Sequence, residues 1–523
     1  MSKYGPLHHG NDGFFNDVEI EKYYEKIISL EDIWIDGPFP ANERLGWVNP
    51  LLFTETIKSC YEFQQNKKGP FYPREKDLKT EIKYPLTILF VGMGGSIQTG
   101  KVLSQLFSGH DDYQVLFLDT TNPSEVSNVR KKINFDNTRF VFMSKSGSTL
   151  ETNKIMNFFI NESNNDTHMW TVITDEGTGL EKFARNNSFN VLNSHKNIGG
   201  RFSSSSHFGL LPSMFLDHKF DSLWLHEEKE KHTLKKKCVF LTYILEQCAK
   251  YDGFLSIKIP EEMSELGIWI EQLIAESTGK DGKGIIPLIN VKNDHNYPRI
   301  IFNNTSIDEF RKIKNTSHDR TELIIDFNRN NIFEDMFIWQ MSVAIACKIY
   351  GIFPFDEPDV EKSKLNTKKI LDKNIDMENV AIPYSDNDIN NMINKNKTNQ
   401  VLYINLYLNE TKEISDSLNK FKEMLISAHD INIVTGFGPR YLHSIGQLQK
   451  GGPKNVWSIF FYDDNLINHY SEKNNYKDLS DTFKAQMLGD FNALKELEIN
   501  AYLFNIDSNK PNPFDSIMGS IKE

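Results

Sequence analysis

The chain has 523 residues, of which 39% are hydrophobic and 25% charged, and its formal net charge is -12. This length provides core for roughly three domains, and the composition is that of a soluble globular protein. The negative charge argues against a general affinity for nucleic acid or an anionic membrane, so an anionic ligand would have to be held by local donors.

The cysteines and the N-terminus indicate the compartment. Cys60, Cys238, Cys248 and Cys347 are scattered and form no C-x-x-C pair. This spacing is typical of reduced thiols and not of a disulfide framework or a zinc site. The first residues lack the apolar segment of a signal peptide, and no apolar run approaches about 18 residues. We expect a cytoplasmic protein that does not associate with membranes.

The first motif follows a predicted N-terminal region, residues 1–80, of an irregular arm and helices at 20–30 and 51–63. A strand pattern at 86–91 continues directly into glycines and a serine, Gly94, Gly95 and Ser96. Glycines at such a turn let the backbone approach a ligand closely, and the serine would begin the next helix. The third glycine of a dinucleotide fingerprint is missing, as is the hydroxyl residue of a P-loop.

The second motif is a hydroxyl-rich loop, 144–152, between a strand pattern at 139–143 and a helical pattern. Its candidate phosphate ligands are Ser144, Ser146, Ser148 and Thr149. Backbone N–H groups and the positive end of the helix dipole favour an anion at such a place. Because Ser and Thr are also ordinary N-cap residues, the loop alone leaves a plain helix cap open. A sugar phosphate is the favoured guest.

Further strand patterns at 115–118, 170–173 and 189–192 alternate with helical patterns. This alternation predicts an α/β fold, with a doubly wound, mostly parallel sheet over about 80–215. Ligands of such sheets bind beyond the carboxyl ends of the strands. Both the glycine-rich and the serine-rich loop fall there, so they point to one site.

Two charged residues follow these loops. Arg201 comes after paired glycines, which allow a sharp turn and present a permanent cation toward the same edge. Glu276 ends an apolar helix just before a Gly/Lys-rich loop, where low hydration would suit a general base. A loop-holding arginine and a solvated helix-end glutamate are the alternatives.

The C-terminal part again predicts α/β structure. A polar surface segment or linker is expected at 366–399, followed by strands at 401–408, 431–434, 456–461 and 501–505 and helices at 412–427 and 479–496. We therefore divide the chain into an arm with helices at 1–80, a first α/β domain at 81–220 and a second at 221–523.

Four of these segments, in this order, resemble the signatures of the phosphoglucose isomerase family: 92–96, 144–152, 197–206 and 272–287. Residues 351–364 are similar to its C-terminal signature, and 436–453 most resemble the isomerase half of bifunctional transaldolase/phosphoglucose isomerase proteins. The resemblance implies two sugar-isomerase (SIS) domains, each a doubly wound, mostly parallel sheet flanked by helices, with an N-terminal helical arm.

The resemblance also implies a reaction, the interconversion of glucose 6-phosphate and fructose 6-phosphate through a cis-enediol. Glu276 would be the base, Arg201 would stabilise the enediolate, Gln272 would contact the substrate, and His443 with Lys364 would open the ring. The phosphate would be bound by the two loops, at Gly94, Gly95, Ser96, Ser144, Ser146, Ser148 and Thr149. Neither a metal nor an organic cofactor is implied, and the family commonly forms a homodimer whose histidine comes from the neighbouring chain.

Several alternatives stay open. His295 and His318 are rivals of His443, and Lys484 is a rival of Lys364. Glu357 stands where the family signature has glutamine, and a carboxylate there would repel a phosphate unless it is paired. A non-catalytic SIS protein that senses a sugar phosphate, and an isomerase for another substrate such as mannose 6-phosphate or an amino-sugar phosphate, are the competing functions.

Overall fold

The structure is a computed structural model, and we describe those residues whose placement is defined. These are 45–66, 69–71, 86–163, 170–218, 228–291, 296–304, 309–315, 321–372, 389–398, 400–519 and 521. The predicted arm and its helix at 20–30 lie outside these residues. The helix predicted at 51–63 is confirmed as α1, Pro50–Gln65.

The first sheet has five parallel strands in the order β2-β1-β3-β4-β5. The strands are β1 Leu86–Gly92, β2 Tyr113–Leu118, β3 Thr138–Met143, β4 Trp170–Asp175 and β5 Asn190–Ser194. The helices are α2 Gly95–Leu106, α3 Pro123–Lys132, α4 Leu150–Glu162, α5 Gly179–Asn186 and α6 His207–Ser213. Both central strands, β1 and β3, are buried along their whole length, which explains their apolar sequences.

A second five-stranded sheet has the order β7-β6-β8-β10-β9, with β9 antiparallel to β10. Its strands are β6 Phe254–Lys258, β7 Ile286–Ile289, β8 Arg299–Asn304, β9 Glu309–Asn315 and β10 Thr321–Phe327. The helices α7 Glu228–Gln247, α8 Ser264–Thr278 and α9 Ile332–Tyr350 belong to this region.

The α/β class with mostly parallel sheets is confirmed, but the described residues form three sheets where the sequence predicted two. In this region the sequence indicates only β6, as a strand pattern at 254–259. β7 is four residues long, and β9, with the sequence EFRKIKN, lacks an apolar run. Such short or charged strands give no clear period-2 pattern.

The third sheet is parallel, in the order β12-β11-β13-β14, and its strands confirm the predicted ones. They are β11 Val401–Tyr407, β12 Asn432–Phe437, β13 Val456–Tyr462 and β14 Ala501–Asn505. The helices of this region are α10 Glu361–Asp372, α11 Ile389–Lys395, α12 Lys412–His429, α13 Gly446–Gly451, α14 Asp464–Ser471, α15 Asn474–Glu496 and α16 Asp515–Met518.

The polar segment predicted at 366–399 is corrected near both ends, because residues 366–372 belong to α10 and residues 389–395 form α11. Asn366 and Thr367 are buried. Asn366 Nδ2 donates a hydrogen bond to Glu496 of α15, at 3.1 Å. These polar residues therefore pair with another helix, which composition alone does not reveal.

Helices cover the sheets, and α8 occupies a central place among them. Its residues contact α2, α9, α13 and β7. Gln98 of α2 donates a hydrogen bond to Glu265 Oε2 of α8 at 2.7 Å, and the C-terminal half of α8 is buried. This helix therefore carries its last residues into the space beyond the first sheet. None of the described helices combines the length and apolar character that a bilayer crossing requires.

Candidate active site

The glycine-rich loop after β1 brings three distant segments together. Gly94 has φ +53°, and a Cβ there would lie 3.0 Å from Gln272 Nε2 and 3.2 Å from the His443 carbonyl oxygen. A Cβ on Gly95 would lie 2.3 Å from the Gly200 carbonyl oxygen. Only glycine allows this close approach of backbones.

A cavity of about 250 Å³ opens at this junction. It lies beyond the carboxyl ends of β1 and β3, as expected for a doubly wound sheet. The predicted site residues that line it are Gly94, Gly95, Ser96, Ser146, Thr149, Arg201, Gln272, Glu276 and His443. The two loops and both charged residues singled out in the sequence thus face one space.

Glu276 lies at the inner wall of the cavity, with 10% of its side chain exposed. Its Oε1 lies 3.5 Å from Arg201 Nη1, and its Oε2 accepts a hydrogen bond from Gln272 Nε2 at 3.1 Å. Burial raises the pKa of Glu276, and this effect outweighs the opposing attraction of Arg201. The glutamate is therefore a buried base with an elevated proton affinity, and not a solvated helix end.

Arg201 is fixed on three sides. Its Nε donates to Ser277 Oγ at 2.9 Å, and its Nη2 donates to the carbonyl oxygens of Pro354 and Asp356, at 2.6 and 2.7 Å. The arginine thus holds the loop before α10, as the structural alternative predicted, and also turns Nη1 into the cavity. One side chain performs both tasks.

Glu357, the departure from the family signature, also lines the cavity. Its Oε2 accepts a hydrogen bond from Arg201 Nη1 at 3.2 Å, and 35% of its side chain is exposed. The carboxylate is thus paired, which meets the condition under which it would not repel a phosphate.

His443 is held by a buried carboxylate. Its Nε2 lies 2.9 Å from Glu151 Oε1, and the same oxygen accepts from Gln486 Nε2 at 2.7 Å. Thr121 in turn donates to Gln486 Oε1 at 2.7 Å. Burial alone would lower the pKa of His443, but Glu151 outweighs it and raises the pKa. The carboxylate thus fixes Nε2 as a donor and favours the protonated ring.

His443 belongs to the same chain as Glu276. The histidine that the resemblance assigns to a neighbouring chain is therefore already present in the cavity of a single chain. His443 follows β12 of the third sheet, and Glu151, which contacts it, lies in the first turn of α4 after β3 of the first sheet.

The N-termini of α2 and α4 both border the cavity, where Gly94, Gly95, Ser96 and Thr149 belong to its lining. Gly94 precedes α2 and has no side chain, and Thr149 precedes α4 without any capping hydrogen bond to it among the described residues. The Thr149 hydroxyl instead contacts Ser144 Oγ at 2.8 Å. Uncapped N-termini carry partial positive charge and bind anions. The plain helix cap is thus excluded for Thr149.

The serines of the second loop differ in their positions. Ser144 is buried beneath the loop and does not belong to the residues that line the described cavity. Ser146 Oγ contacts Ser148 Oγ at 3.0 Å. Ser146 lines both the cavity and a neighbouring cleft, whereas Ser148 lines the cleft and not the cavity.

That cleft, of about 610 Å³, adjoins the cavity and shares His443 with it. Lys364 lines the cleft and not the cavity, and its Nζ lies 2.6 Å from Glu361 Oε1. The rival Lys484 is buried in α15 and lines neither space in the described part of the chain. The rival histidines, His295 and His318, lie outside the described residues.

Comparison with known proteins agrees with this geometry. Residues 80–234, which contain both loops and Arg201, match the family model for phosphoglucose isomerase. The resemblance to this family that the sequence motifs carry is thereby confirmed for this part of the chain. A probable glucose-6-phosphate isomerase of Methanococcus maripaludis is 26% identical over 357 residues, which are 56% of this chain and 81% of the relative.

Two further likenesses extend over more of the chain. A glucose-6-phosphate isomerase of Mycoplasma capricolum is 22% identical over 431 residues, covering 68% of this chain and 97% of the relative. The solved structure of a hypothetical protein from Thermus thermophilus aligns with a TM-score of 0.51 and 19% identity, covering 67% of this chain and 94% of that one. The structural likeness concerns the fold. The bifunctional transaldolase layout stays a prediction.

The sequence reasoning missed two residues that position His443, namely Glu151 and Gln486. Glu151 stands in the first turn of α4, where an acidic residue usually complements the helix dipole. Gln486 lies inside the long helix α15 without any motif. Only the buried contacts of Glu151 with His443 and Gln486 distinguish them, and the sequence carries no signal for contacts between such distant residues.

Proposed function

We propose that the protein interconverts glucose 6-phosphate and fructose 6-phosphate through a cis-enediol. One observation carries the proposal: a buried base, a guanidinium, a histidine–carboxylate pair and two uncapped helix N-termini share one cavity. The names of the two relatives agree with this reaction.

The phosphate binds at the two loops. The first turns of α2 and α4 offer backbone N–H groups, and the hydroxyls of Ser96, Ser146 and Thr149 add donors at the cavity wall. Ser144 supports this site from below by holding Thr149, and Ser148 does so by contact with Ser146. Local donors thus attract a dianion despite the negative charge of the protein.

The proton transfer takes place at the other side of the cavity. Glu276 removes the proton from C2 of the aldose and returns it to C1, and its raised pKa brings its basicity closer to that needed near neutral pH. Arg201 Nη1 stabilises the charge that develops on the enediolate oxygen. Gln272 holds the carboxylate in place through its 3.1 Å hydrogen bond and faces the substrate.

Ring opening belongs to His443 and Lys364. The Glu151 carboxylate keeps His443 protonated and oriented, so it can donate a proton to the ring oxygen. Lys364 approaches from the adjoining cleft, and it requires release from Glu361 to reach the substrate.

The competing functions differ in what they need. A sugar-phosphate sensor needs the two loops but no buried base, and Glu276 with its raised pKa favours an enzyme. Mannose 6-phosphate and amino-sugar phosphates differ in the configuration or substituent at C2, and the same assay tests them as substrates.

Glu276→Gln tests the proposed function. We expect kcat to fall by at least about 1,000-fold, because the amide cannot accept the proton, while sugar phosphate still binds. Turnover is measured in a coupled assay and binding by calorimetry. Glu271→Gln is the matched control, since Glu271 lies in the same helix but not among the residues that line the described cavity. Equal turnover of both variants would refute the role of Glu276.

We further propose that the protein is cytoplasmic and forms a homodimer, as the resemblance to the family implies, with a complete site in each chain. Mixing the subunits of Glu276→Gln and His443→Ala variants tests this arrangement. If each site uses the histidine of its own chain, the mixture stays inactive. Recovery of activity would mean that one chain supplies the histidine to the other, and sedimentation would establish the dimer itself.

A further inference from the structure

The hydrogen bonds of Arg201 leave few donors for a substrate. A guanidinium has five N–H groups. Nε bonds Ser277, and Nη2 bonds two backbone carbonyl oxygens. The two N–H groups of Nη1 remain, and they face Glu357 at 3.2 Å and Glu276 at 3.5 Å.

An enediolate oxygen that is stabilised by Arg201 must therefore take the place of one carboxylate. Glu276 has to stay beside the reacting carbon as the base, and only 10% of its side chain is exposed. Glu357 is 35% exposed and lies on the loop before α10. Of the two carboxylates, Glu357 is the one with room to move.

We propose that Glu357 is a further specificity-determining residue of this site, which yields its Arg201 N–H to the substrate and then accepts a hydrogen bond from a sugar hydroxyl. The inference rests on the proposed function. A carboxylate only accepts hydrogen bonds, whereas the glutamine of the family signature also donates them. Glu357 therefore favours a neutral, hydroxyl-bearing end of the sugar and disfavours a ligand that is anionic at C1.

The charges around Glu357 support this role. Arg201 and Lys364 attract the Glu357 carboxylate, and Glu276 repels it. His443 lines the same cavity. Burial raises the pKa of Glu276 most, Arg201 opposes this, and the Glu357 charge adds to the rise. Removing the Glu357 charge lowers the pKa of Glu276 for two reasons. It removes a repulsion, and it leaves the Arg201 charge with Glu276 as its remaining carboxylate at Nη1.

Glu357→Gln tests the inference first by its pH profile. The acidic limb of kcat/KM reports protonation of the free base. We expect this limb to move to lower pH in the variant by roughly half a unit to one unit. Asp356→Asn is the control, because it removes the same charge one residue away, where the carboxylate pairs with Lys280 at 3.1 Å. A merely structural role would not move this limb.

A second measurement does not require turnover. Sorbitol 6-phosphate and gluconate 6-phosphate differ at C1, which is a hydroxymethyl group in the first and a carboxylate in the second. By calorimetry, Glu357→Gln should bind gluconate 6-phosphate about tenfold more tightly relative to sorbitol 6-phosphate than the unchanged protein does. Asp356→Asn should leave this ratio unaltered, and thermal melting confirms that both variants are folded.

The outcomes separate the two proposals. An unchanged ratio in Glu357→Gln, or an equal change in Asp356→Asn, would overturn the role of Glu357. If the unchanged protein binds both ligands but turns over neither glucose 6-phosphate nor fructose 6-phosphate, the proposed reaction is wrong, and the binding ratio still decides the specificity of Glu357.

Discussion

The first and third sheets have the same strand order, but the helices that follow their strands differ in whether a side chain caps the N-terminus. Each places its second strand beside the first, followed on the other side by the third and fourth. In the first sheet, the helices after the first and third strands, α2 and α4, begin without a side-chain cap among the described residues. In the third sheet, the corresponding helices, α12 and α14, are both capped.

The caps of the third sheet come from its own side chains. Thr411 Oγ1 accepts from the N–H of Ile414 at 3.3 Å. Asp463 Oδ1 accepts from the N–H groups of Asn465 and Leu466, at 2.9 and 3.2 Å. The positive end of α14 therefore already holds a carboxylate.

This difference favours the helix N-termini of the first sheet over those of the third as the proposed phosphate site. A helix N-terminus is an anion site as long as no side chain satisfies it. In the first sheet the hydroxyl that could cap α4 contacts Ser144 Oγ instead, and Thr149 leaves this N-terminus without a side-chain cap. The proposed anion site therefore depends on the missing side-chain cap of α4 as well as on the serines of the loop.

The largest effect is expected when the first sheet is made to resemble the third. Thr149→Asp places a carboxylate at the N-terminus of α4, as Asp463 does for α14. We expect KM for the sugar phosphate to rise by at least about 100-fold, because the carboxylate occupies the donors and repels the phosphate. Steady-state kinetics and calorimetry measure the loss.

The same substitution should not weaken the fold. An aspartate N-cap stabilises a helix by up to about 1 kcal/mol relative to an uncapped start. Lost binding with an unchanged or higher midpoint of urea unfolding therefore separates the effect from unfolding. Thr149→Ser, which keeps the hydroxyl, is the control. Near-normal KM in Thr149→Asp would show that the phosphate does not bind at α4.

The sequence predicted features that depend on neighbouring residues, and it did not predict contacts between residues that are distant in the chain. The glycine and serine loops were predicted because strand, loop and helix are contiguous in the chain, and Arg201 and Glu276 because each lies beside such a loop. The Glu151–His443 pair joins residues 292 positions apart, and no pattern in the sequence announces it. Of the second sheet, β7 was missed because it is short and β9 because it lacks an apolar run.

The role of Lys364 marks a limit of the resemblance. The signature places this lysine in the site, whereas the structure places it in the adjoining cleft, bonded to Glu361. The cleft and the cavity have His443 in common. The direction of a flexible, half-exposed side chain depends on its partners and on the bound substrate, which a motif does not contain.

The smallest effect is expected in the third sheet. Asp463→Ala removes the cap of α14 and the acceptor of the Ser508 N–H, whose hydrogen bond measures 2.9 Å. We expect the free energy of unfolding to fall by about 2 kcal/mol, because Asp463 is fully buried and its partners lose their acceptor. Urea unfolding measures the loss, and Asp463→Asn, which can keep the cap, should lose less. KM should stay unchanged in both, since this carboxylate serves its helix and no ligand; a raised KM would mean that the two sheets share the binding of the substrate.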